Sequence, residues 1–332
     1  MRPFRYERAA DAEQAVALLA AEPEARFLAG GTNLVDLMRL GVETPGTLID
    51  ITRLRGHDRI EETAGGGLII GAAVTNSELA ADPRVRERYP VLSQAVLHGA
   101  SGQLRNLATV GGNLLQRTRC AYFTDVTKPC NKREGGRDPS RCPAREGQHH
   151  NHAVFGHSEH CVATNPSDMA VALSALEATV HAHGPSGRRA IPIPGFHRLP
   201  EDQPERDTNL EPTELITAVE LAPPAGATRQ RYRKARERRS YAFALVSIAA
   251  VLALDGDTVS DVRIGLGGVA HVPWRATVAE QTLRGATIGE ETVRRAAEAE
   301  LAQARPLRDN AYKVQLARNL IVETLLELAG PA

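Results

Sequence analysis

The sequence contains no apolar run of the roughly 18 residues that a membrane-spanning helix needs. The longest candidate, Ala242 to Leu254, is shorter. The first residues carry charges but no apolar segment, so we expect neither a membrane anchor nor a secretory signal. The chain is therefore expected in the cytoplasm, or in the periplasm where a partner subunit exports it with a twin-arginine signal.

An excess of charge of either sign is also absent, because 40 Lys and Arg balance 40 Asp and Glu. Nucleic-acid-binding proteins usually show a basic excess, so we expect no nucleic-acid partner. The basic run from Arg229 to Arg239 lacks the interleaved aromatic residues of a stacking platform. With 332 residues, of which 42% are hydrophobic, the chain is long enough for about two domains with cores of their own.

Cysteine is scarce, yet all four cysteines fall between residues 120 and 161. Disulfide frameworks are denser and occur in smaller secreted chains, so this grouping favours a metal site. The spacing C-x9-C-x11-C-x18-C contains no CxxC pair of the kind that zinc sites use, and it suits a [4Fe–4S] cluster. Five histidines in the same segment leave a Cys/His zinc site open, and the absence of any metal is a third alternative. We interpret these histidines as loop surface: His149, His150, His152, His157 and His160.

Strand-like and helix-like patterns alternate in the N-terminal half, which predicts α/β units. The opening reads as strand, helix and strand, with Asp11 as the helix cap, and further strands are predicted at 47–51 and 68–72. Residues 117–161 lack apolar periodicity, and so long a stretch without secondary structure should be functional or disordered. A helix from Met169 to Ala178, capped by Ser167, follows it.

The order of predicted strands and helices changes in the C-terminal part, which begins after the Pro- and Gly-rich residues 223–226. Residues 241–254 and 259–269 are predicted to form an antiparallel strand pair, although the first could also be a buried helix. Two helices are predicted at 290–304 and 309–329. Asp309 is the expected cap of the second.

Two glycine turns carry the clearest functional signal. The first is Ala-Gly-Gly-Thr-Asn-Leu at 29–34, directly after a predicted strand, and the second is Ala-Thr-Val-Gly-Gly-Asn at 108–113. Adjacent glycines permit positive φ and let backbone N–H groups approach an anion closely. Neither turn is a dinucleotide GxGxxG or a Walker A motif. Either alone could be a surface turn, but together they could hold one long dianionic ligand.

These two turns, in this order, resemble the FAD-binding subunits of molybdenum hydroxylases, the xanthine dehydrogenase and carbon monoxide dehydrogenase family. Segments 215–221, 231–246 and 263–275 are similar to the continuation of that family, so the resemblance covers essentially the whole chain. It implies an α/β plus α+β fold. A two-lobed FAD-binding domain of the PCMH/VAO type would span 1–223, with an inserted iron–sulfur loop at 117–165. A domain like the CO dehydrogenase flavoprotein C-terminal domain would span 227–330.

The resemblance also implies FAD as cofactor. Both glycine turns would bind its diphosphate and ribityl chain, Asp168 would lie near the adenosine or ribityl hydroxyls, Ile216 near the isoalloxazine, and Lys234 near the flavin ring. The full set is Leu28, Ala29, Gly30, Gly31, Thr32, Asn33, Leu34, Val35, Thr109, Gly111, Gly112, Asn113, Asp168, Ile216 and Lys234. Leu34 stands where NAD-reducing relatives carry an acidic residue, so weak use of NAD is expected.

Most flavin subunits of the family lack the cysteine segment, but it resembles the insertion in those of 4-hydroxybenzoyl-CoA reductase and bacterial aldehyde oxidoreductase. That resemblance implies a [4Fe–4S] cluster held by Cys120, Cys130, Cys142 and Cys161. The segment from Cys130 to Cys142 matches least well, and Cys142 is assigned because no other cysteine exists.

The resulting functional prediction is an electron-transfer flavoprotein subunit of a molybdenum-dependent aldehyde oxidoreductase. Its partners would be a large subunit with the molybdenum cofactor, a small [2Fe–2S] subunit and an external electron acceptor, and none of its own residues would act as acid or base on the aldehyde. The alternatives are a stand-alone FAD-dependent oxidase or reductase, which would need an acid/base site of its own, and a zinc-stabilised scaffold without chemistry.

Overall fold

Three β-sheets, each covered by helices, organise the protein in the computed structural model, which describes residues 1–330. The first two sheets lie in the N-terminal part of the chain and the third in the C-terminal part. The predicted combination of α/β and α+β architecture is thereby confirmed. No helix within residues 1–330 is long and apolar enough to cross a membrane.

The first lobe is a three-stranded parallel sheet in the order β1-β3-β2. The chain enters it as predicted, through strand, helix and strand, and Asp11 caps the first helix by accepting a 2.8 Å hydrogen bond from the Gln14 N–H. The elements of this lobe are β1 (Arg5–Arg8), α1 (Ala12–Ala21), β2 (Ala25–Leu28), α2 (Leu34–Leu40) and β3 (Thr47–Asp50).

Asp50, at the carboxyl end of β3, stabilises this lobe. Its side chain is buried and accepts hydrogen bonds from Thr52 (N–H, 2.8 Å; hydroxyl, 2.7 Å), from the Tyr6 hydroxyl and from Arg8 Nε at 3.2 Å. Burial alone would raise the pKa of Asp50, but these bonds outweigh it and lower the pKa to about 2. The ionised carboxylate is therefore the form that the folded lobe favours.

A pH dependence of stability follows. A carboxylate with a depressed folded-state pKa stabilises the protein above its unfolded pKa of about 4, and that contribution disappears as the pH falls toward 2. We expect Asp50→Asn to lose about 2 kcal/mol at pH 7, with a loss that shrinks steadily between pH 4 and pH 2. Urea unfolding at pH 7, 4 and 3, followed by circular dichroism, measures this. A deficit that stays constant over that range would contradict the assignment.

The second lobe is a five-stranded antiparallel sheet in the order β4-β5-β8-β6-β7. Three consecutive helices cover residues 76–98, and two short helices lead into the cysteine segment. The elements up to that point are β4 (Ile60–Glu62), β5 (Leu68–Gly71), α3 (Asn76–Ala81), α4 (Pro83–Arg88), α5 (Pro90–His98), α6 (Gly102–Arg105) and α7 (Val110–Leu114).

The cysteine segment contains short structured pieces that its sequence pattern did not reveal. These are α8 (Ala121–Thr124), α9 (Asn131–Glu134) and single 3₁₀ turns at 139–141 and 143–145. The lobe then continues with α10 (Asp168–Ala175), β6 (Thr179–Gly184), β7 (Gly187–Pro192) and β8 (Leu215–Leu221). Ser167 caps α10 as predicted, by accepting a hydrogen bond from the Ala170 N–H at 3.0 Å.

The C-terminal part packs a four-stranded antiparallel sheet, in the order β12-β11-β10-β9, against three helices. Residues 246–255 form a strand paired with the next one, so the alternative of a buried helix is wrong. The elements are β9 (Arg229–Ala235), β10 (Val246–Asp255), β11 (Thr258–Gly267), β12 (Trp274–Arg275), α11 (Thr277–Leu283), α12 (Glu290–Leu301) and α13 (Tyr312–Ala329).

Asp309 and the basic run of β9 are both engaged in ion pairs. The last helix starts at Tyr312 without a side-chain cap, so the assignment of Asp309 as its cap is wrong. Asp309 instead pairs with the neighbouring Arg308. The basic run of β9 is not a free surface, because Arg231 and Arg233 form ion pairs with Glu327 of α13.

The cysteine segment joins both parts of the molecule. Its Val154 and Phe155 belong to the C-terminal core, and the Phe155 ring stacks on Trp274 with centroids 4.8 Å apart. From the first turn of α13, Lys313 Nζ donates to the Asn151 carbonyl at 2.8 Å, and just ahead of that helix Asn310 Nδ2 donates to the His152 carbonyl at 3.2 Å. The segment is thus held in place by residues far downstream in the chain.

Candidate functional site

The first glycine turn connects β2 to α2 and presents a run of free backbone donors. Gly31 has a φ of +72°, which lets the chain reverse direction directly after the strand. Within residues 1–330, the N–H groups of residues 30–34 have no acceptor. The amide Nδ2 of Asn33 is likewise buried without a partner. The buried Nδ2 donor is costly unless a ligand satisfies it, and the half-buried N–H groups beside it are free to bind the same ligand, so the turn is suited to an anion.

The second glycine turn is pressed against the first. A Cβ added to Gly30 would lie 1.7 Å from the carbonyl oxygen of Leu107, and one added to Gly112 would lie 3.9 Å from the Cβ of Ala29. The two backbones can approach this closely only because glycine has no side chain. The sequence prediction that both turns serve one site is consistent with this contact.

Backbone hydrogen bonds fix the second turn to the sheet of the second lobe. The N–H of Gly111 donates to the Ala72 carbonyl at 2.9 Å, and the Thr109 hydroxyl accepts from the Gly112 N–H at 3.2 Å. Ala72 in turn donates to the Thr217 carbonyl at 3.0 Å, next to the buried Ile216 of β8. The donors of this turn are therefore largely engaged within the protein, in contrast to those of the first turn.

Side-chain hydrogen bonds link the second turn to the other predicted cofactor residues. Asn113 Oδ1 accepts from the Ser167 hydroxyl at 2.6 Å, and Ser167 immediately precedes Asp168. Asp168 accepts from the Tyr232 hydroxyl at 2.5 Å and from Lys234 Nζ at 2.7 Å. The structure thus brings Asn113, Asp168 and Lys234 into one chain of contacts.

Lys234 is already paired with a carboxylate. Its side chain is 1% exposed and that of Asp168 is 7% exposed, and Lys234 Nζ also donates to the His98 carbonyl at 3.1 Å. Sequence reasoning placed Lys234 near the flavin ring and Asp168 near the hydroxyls of the cofactor as separate contacts. The ion pair between them was not anticipated, and it shields part of the positive charge of Lys234.

A stability prediction follows from this buried pair. Lys234→Met leaves the Asp168 carboxylate without its cation, and breaking one side of a buried pair typically costs about 3–5 kcal/mol, or roughly 10 °C in melting temperature. The control is Arg231→Met, which removes an exposed ion pair with Glu327 and should cost less than about 1 kcal/mol. Differential scanning calorimetry compares the two variants. Equal melting temperatures would refute the assigned burial of the Lys234–Asp168 pair.

All four cysteines are free, and all four line one small cavity. Burial raises the pKa of Cys161 to about 12 and that of Cys120 to about 11, so these two thiols are protonated unless a metal supplies compensating positive charge. Among residues 1–330, no three His, Cys, Asp or Glu side chains are placed to hold a single metal ion. Four sulfur ligands around a shared cavity match the donor set of an iron–sulfur cube, which spreads its ligands more widely than one ion does.

The histidines of this segment are not all at the surface. His149 and His152 are 1% and 7% exposed, so the interpretation of the histidines as loop surface is wrong for these two. His152 Nε2 lies 3.1 Å from Cys120 Sγ, and His149 Nδ1 lies 3.1 Å from the Ala144 carbonyl. The density of histidines was visible in the sequence, but their burial depends on contacts with the C-terminal part.

A partly buried ionic network beside the cavity was not predicted from the sequence. Asp207 pairs with Lys132 and with Arg117, whose Nε lies 2.6 Å from Asp207 Oδ2, and the backbone N–H of Arg117 donates to Asn33 Oδ1 at 2.9 Å. Burial would raise the pKa of Asp207, but the charges of Lys132 and Arg117 hold it at about 2. This network connects the cysteine segment to the first glycine turn. Asp207 lies in a polar loop that gave no signal in the sequence.

The family of the chain follows from this site and from its similarity to known proteins. Residues 2–224 match the FAD binding domain in molybdopterin dehydrogenase, and residues 230–328 match the CO dehydrogenase flavoprotein C-terminal domain. The chain therefore belongs to the family of FAD-binding subunits of molybdopterin-dependent dehydrogenases.

Individual relatives place it among the medium subunits of molybdenum hydroxylases. It is 49% identical to the aldehyde oxidoreductase FAD-binding subunit PaoB of Escherichia coli K12, over 100% of both chains. It is 29% identical to the carbon monoxide dehydrogenase medium chain of Hydrogenophaga pseudoflava, over 97% of this chain and 96% of that one. A carbon monoxide dehydrogenase structure from the same organism superimposes with a TM-score of 0.76 at 28% identity, covering 99% of this chain and 98% of that one.

Proposed function

We propose that this chain is the FAD-carrying electron-transfer subunit of a molybdenum-dependent aldehyde oxidoreductase. The observation that carries the proposal is the run of unpaired N–H groups at residues 30–34, set against the second glycine turn. The 49% identity to an aldehyde oxidoreductase FAD-binding subunit supports the substrate class. In this proposal a large subunit with the molybdenum cofactor oxidises the aldehyde, and a small [2Fe–2S] subunit relays the electrons to this chain.

The residues of the chain bind and orient the flavin, and FAD, when bound, supplies the redox chemistry between the relay and an external acceptor. Residues 30–34 hold the diphosphate through backbone N–H donors, and Asn33 adds a side-chain donor. Thr109, Gly111, Gly112 and Asn113 form the opposite wall. Lys234, whose charge is partly offset by Asp168, would supply a cation that favours a negatively charged reduced flavin.

We also propose the boundaries of two domains. The FAD-binding domain spans 1–223, with the inserted cysteine loop at 117–165, and the C-terminal domain spans 227–330. The assignment is supported by the end of β8 at Leu221 and the start of β9 at Arg229, with a Pro- and Gly-rich connection between them.

The second cofactor in this proposal is a [4Fe–4S] cluster held by Cys120, Cys130, Cys142 and Cys161. Support comes from the donor set, because four free thiols line one cavity. A zinc site helped by histidines is the competing assignment. The cysteine spacing contains no CxxC pair of the kind that zinc sites use, and this favours the four-sulfur cluster.

The purified complex with its partner subunits tests the role of the chain. Complex from which FAD has been removed should still reduce its [2Fe–2S] centres on addition of aldehyde but should fail to pass electrons to a final acceptor. Stopped-flow spectroscopy that follows the iron–sulfur and flavin bands separately measures both steps, and re-addition of FAD should restore the second.

NADH formation by the complex should be weak, because Leu34 stands where NAD-reducing relatives carry an acidic residue. Aldehyde oxidation at full rate by this chain alone would instead identify a stand-alone flavoenzyme.

A further inference from the structure

Two imidazoles outside the proposed ligand set contact two of the four cysteine sulfurs. His152 Nε2 lies 3.1 Å from Cys120 Sγ, and His271 Nε2 lies 3.3 Å from Cys161 Sγ. Both side chains are buried, and they come from different parts of the fold: His152 from the cysteine loop and His271 from the connection between β11 and β12. Within residues 1–330, no imidazole is hydrogen-bonded to the sulfur of Cys130 or Cys142.

The surroundings of the two rings determine which nitrogen carries the proton. The Nδ1 atoms of His152 and His271 are both buried without a hydrogen-bond partner. A proton on Nδ1 would therefore be a buried donor without an acceptor, which is expensive, whereas a proton on Nε2 faces a sulfur. The geometry therefore favours a proton on Nε2 in both rings. That N–H points at the cysteine.

We propose that His152 and His271 donate N–H···S hydrogen bonds to the ligand sulfurs of Cys120 and Cys161 and thereby raise the reduction potential of the cluster. The inference rests on the proposed [4Fe–4S] cluster. In the proposed complex, one electron from the small [2Fe–2S] subunit would reduce such a cluster from 2+ to 1+. No bond would break or form, but the negative charge on the sulfur ligands would increase. A donated N–H stabilises this added charge, and hydrogen bonds to sulfur are among the factors that set cluster potentials.

The two histidines act through the cysteine ligands and are not ligands themselves. The test must therefore measure the reduction potential of the cluster as well as its iron content. In the purified complex, His271→Leu removes the donor and keeps an apolar side chain, while His271→Gln retains an N–H donor. We expect His271→Leu to shift the midpoint to lower potential and His271→Gln to retain most of the parental value. The double variant His152→Leu/His271→Leu should shift it further. Anaerobic dithionite titration, monitored by electron paramagnetic resonance of the reduced cluster, measures the midpoints.

His157→Leu is the matched control, because His157 lies in the same loop but contacts the Arg305 carbonyl, at 2.8 Å, rather than a sulfur. It should leave the midpoint unchanged. If His271→Leu and His152→Leu keep their iron and show the parental midpoint, the inference is overturned while the proposed function stands. If the parent complex contains no iron at this site, or contains zinc there, the proposed cluster itself fails and the inference with it. Should a Leu variant lose the cluster, the Gln variant and the single His152→Leu variant still decide the question.

Discussion

Gly30→Ala is expected to abolish FAD binding. The added Cβ would lie 1.7 Å from the carbonyl oxygen of Leu107, so one of the two backbones must move. Neither can move without separating the glycine turns, because the second is hydrogen-bonded to Ala72. Overpacking costs about 1–3 kcal/mol where the surroundings can adjust, and a clash between two backbones that cannot adjust costs more, enough to remove the bound FAD.

Gly102→Ala is the control for this experiment. Gly102 begins the short helix α6, shortly before the second turn, and a Cβ there would meet no atom within 4 Å. Flavin content of the purified variants, measured by absorbance after heat release, should be near zero for Gly30→Ala and parental for Gly102→Ala. Retention of FAD by Gly30→Ala, in a folded protein with a parental melting temperature, would show that the turns do not form the binding site.

Cys161→Ser is the second change with a large expected effect. Cys161 is 5% exposed and lines the cavity shared by all four cysteines. A serine hydroxyl is a poor replacement for a buried thiolate ligand, and metal binding is coupled to the folding of the segment that holds it. We expect iron to fall from about four atoms per chain to below about one, and residues 117–161 to become sensitive to proteolysis.

Ser140→Ala, in the same loop but without a ligand role, should keep its iron and its resistance to protease. Iron and acid-labile sulfide analysis after anaerobic purification, together with limited proteolysis, compares the variants. Full iron content in Cys161→Ser would remove this residue from the ligand set. Zinc in place of iron in the parent protein would replace the cluster assignment altogether.

Sequence alone was sufficient for features that depend on neighbours in the chain. The first helix with its Asp11 cap, the short strands, and the helix behind Ser167 follow from local periodicity and capping, and the structure confirms them. Either glycine turn alone could have been a surface turn, but the two in this order were recognisable as a pair. Their resemblance to a known family carried the fold and cofactor predictions further than periodicity could.

Features that depend on distant partners were not predictable in this way. The Lys234–Asp168 pair joins residues 66 positions apart, and Asp207 reaches Lys132 from a loop with no pattern of its own. The burial of His149 and His152 depends on residues 309–313 of the C-terminal part. Local sequence could not show that Asp309 lies outside the last helix. Its carboxylate pairs with Arg308 and caps no N–H group of that helix.

The attachment of the cysteine loop to Asn310 and Lys313 has a consequence for biosynthesis. These anchors are translated about 150 residues after Cys161, which at 5–20 residues per second is roughly 10–30 s later. During that interval the loop lacks its final support, and its thiols are open to oxidants and to competing metals. Assembly of the proposed [4Fe–4S] cluster is therefore expected to follow release of the finished chain from the ribosome, so that a truncated product lacking the last helix should accumulate without iron.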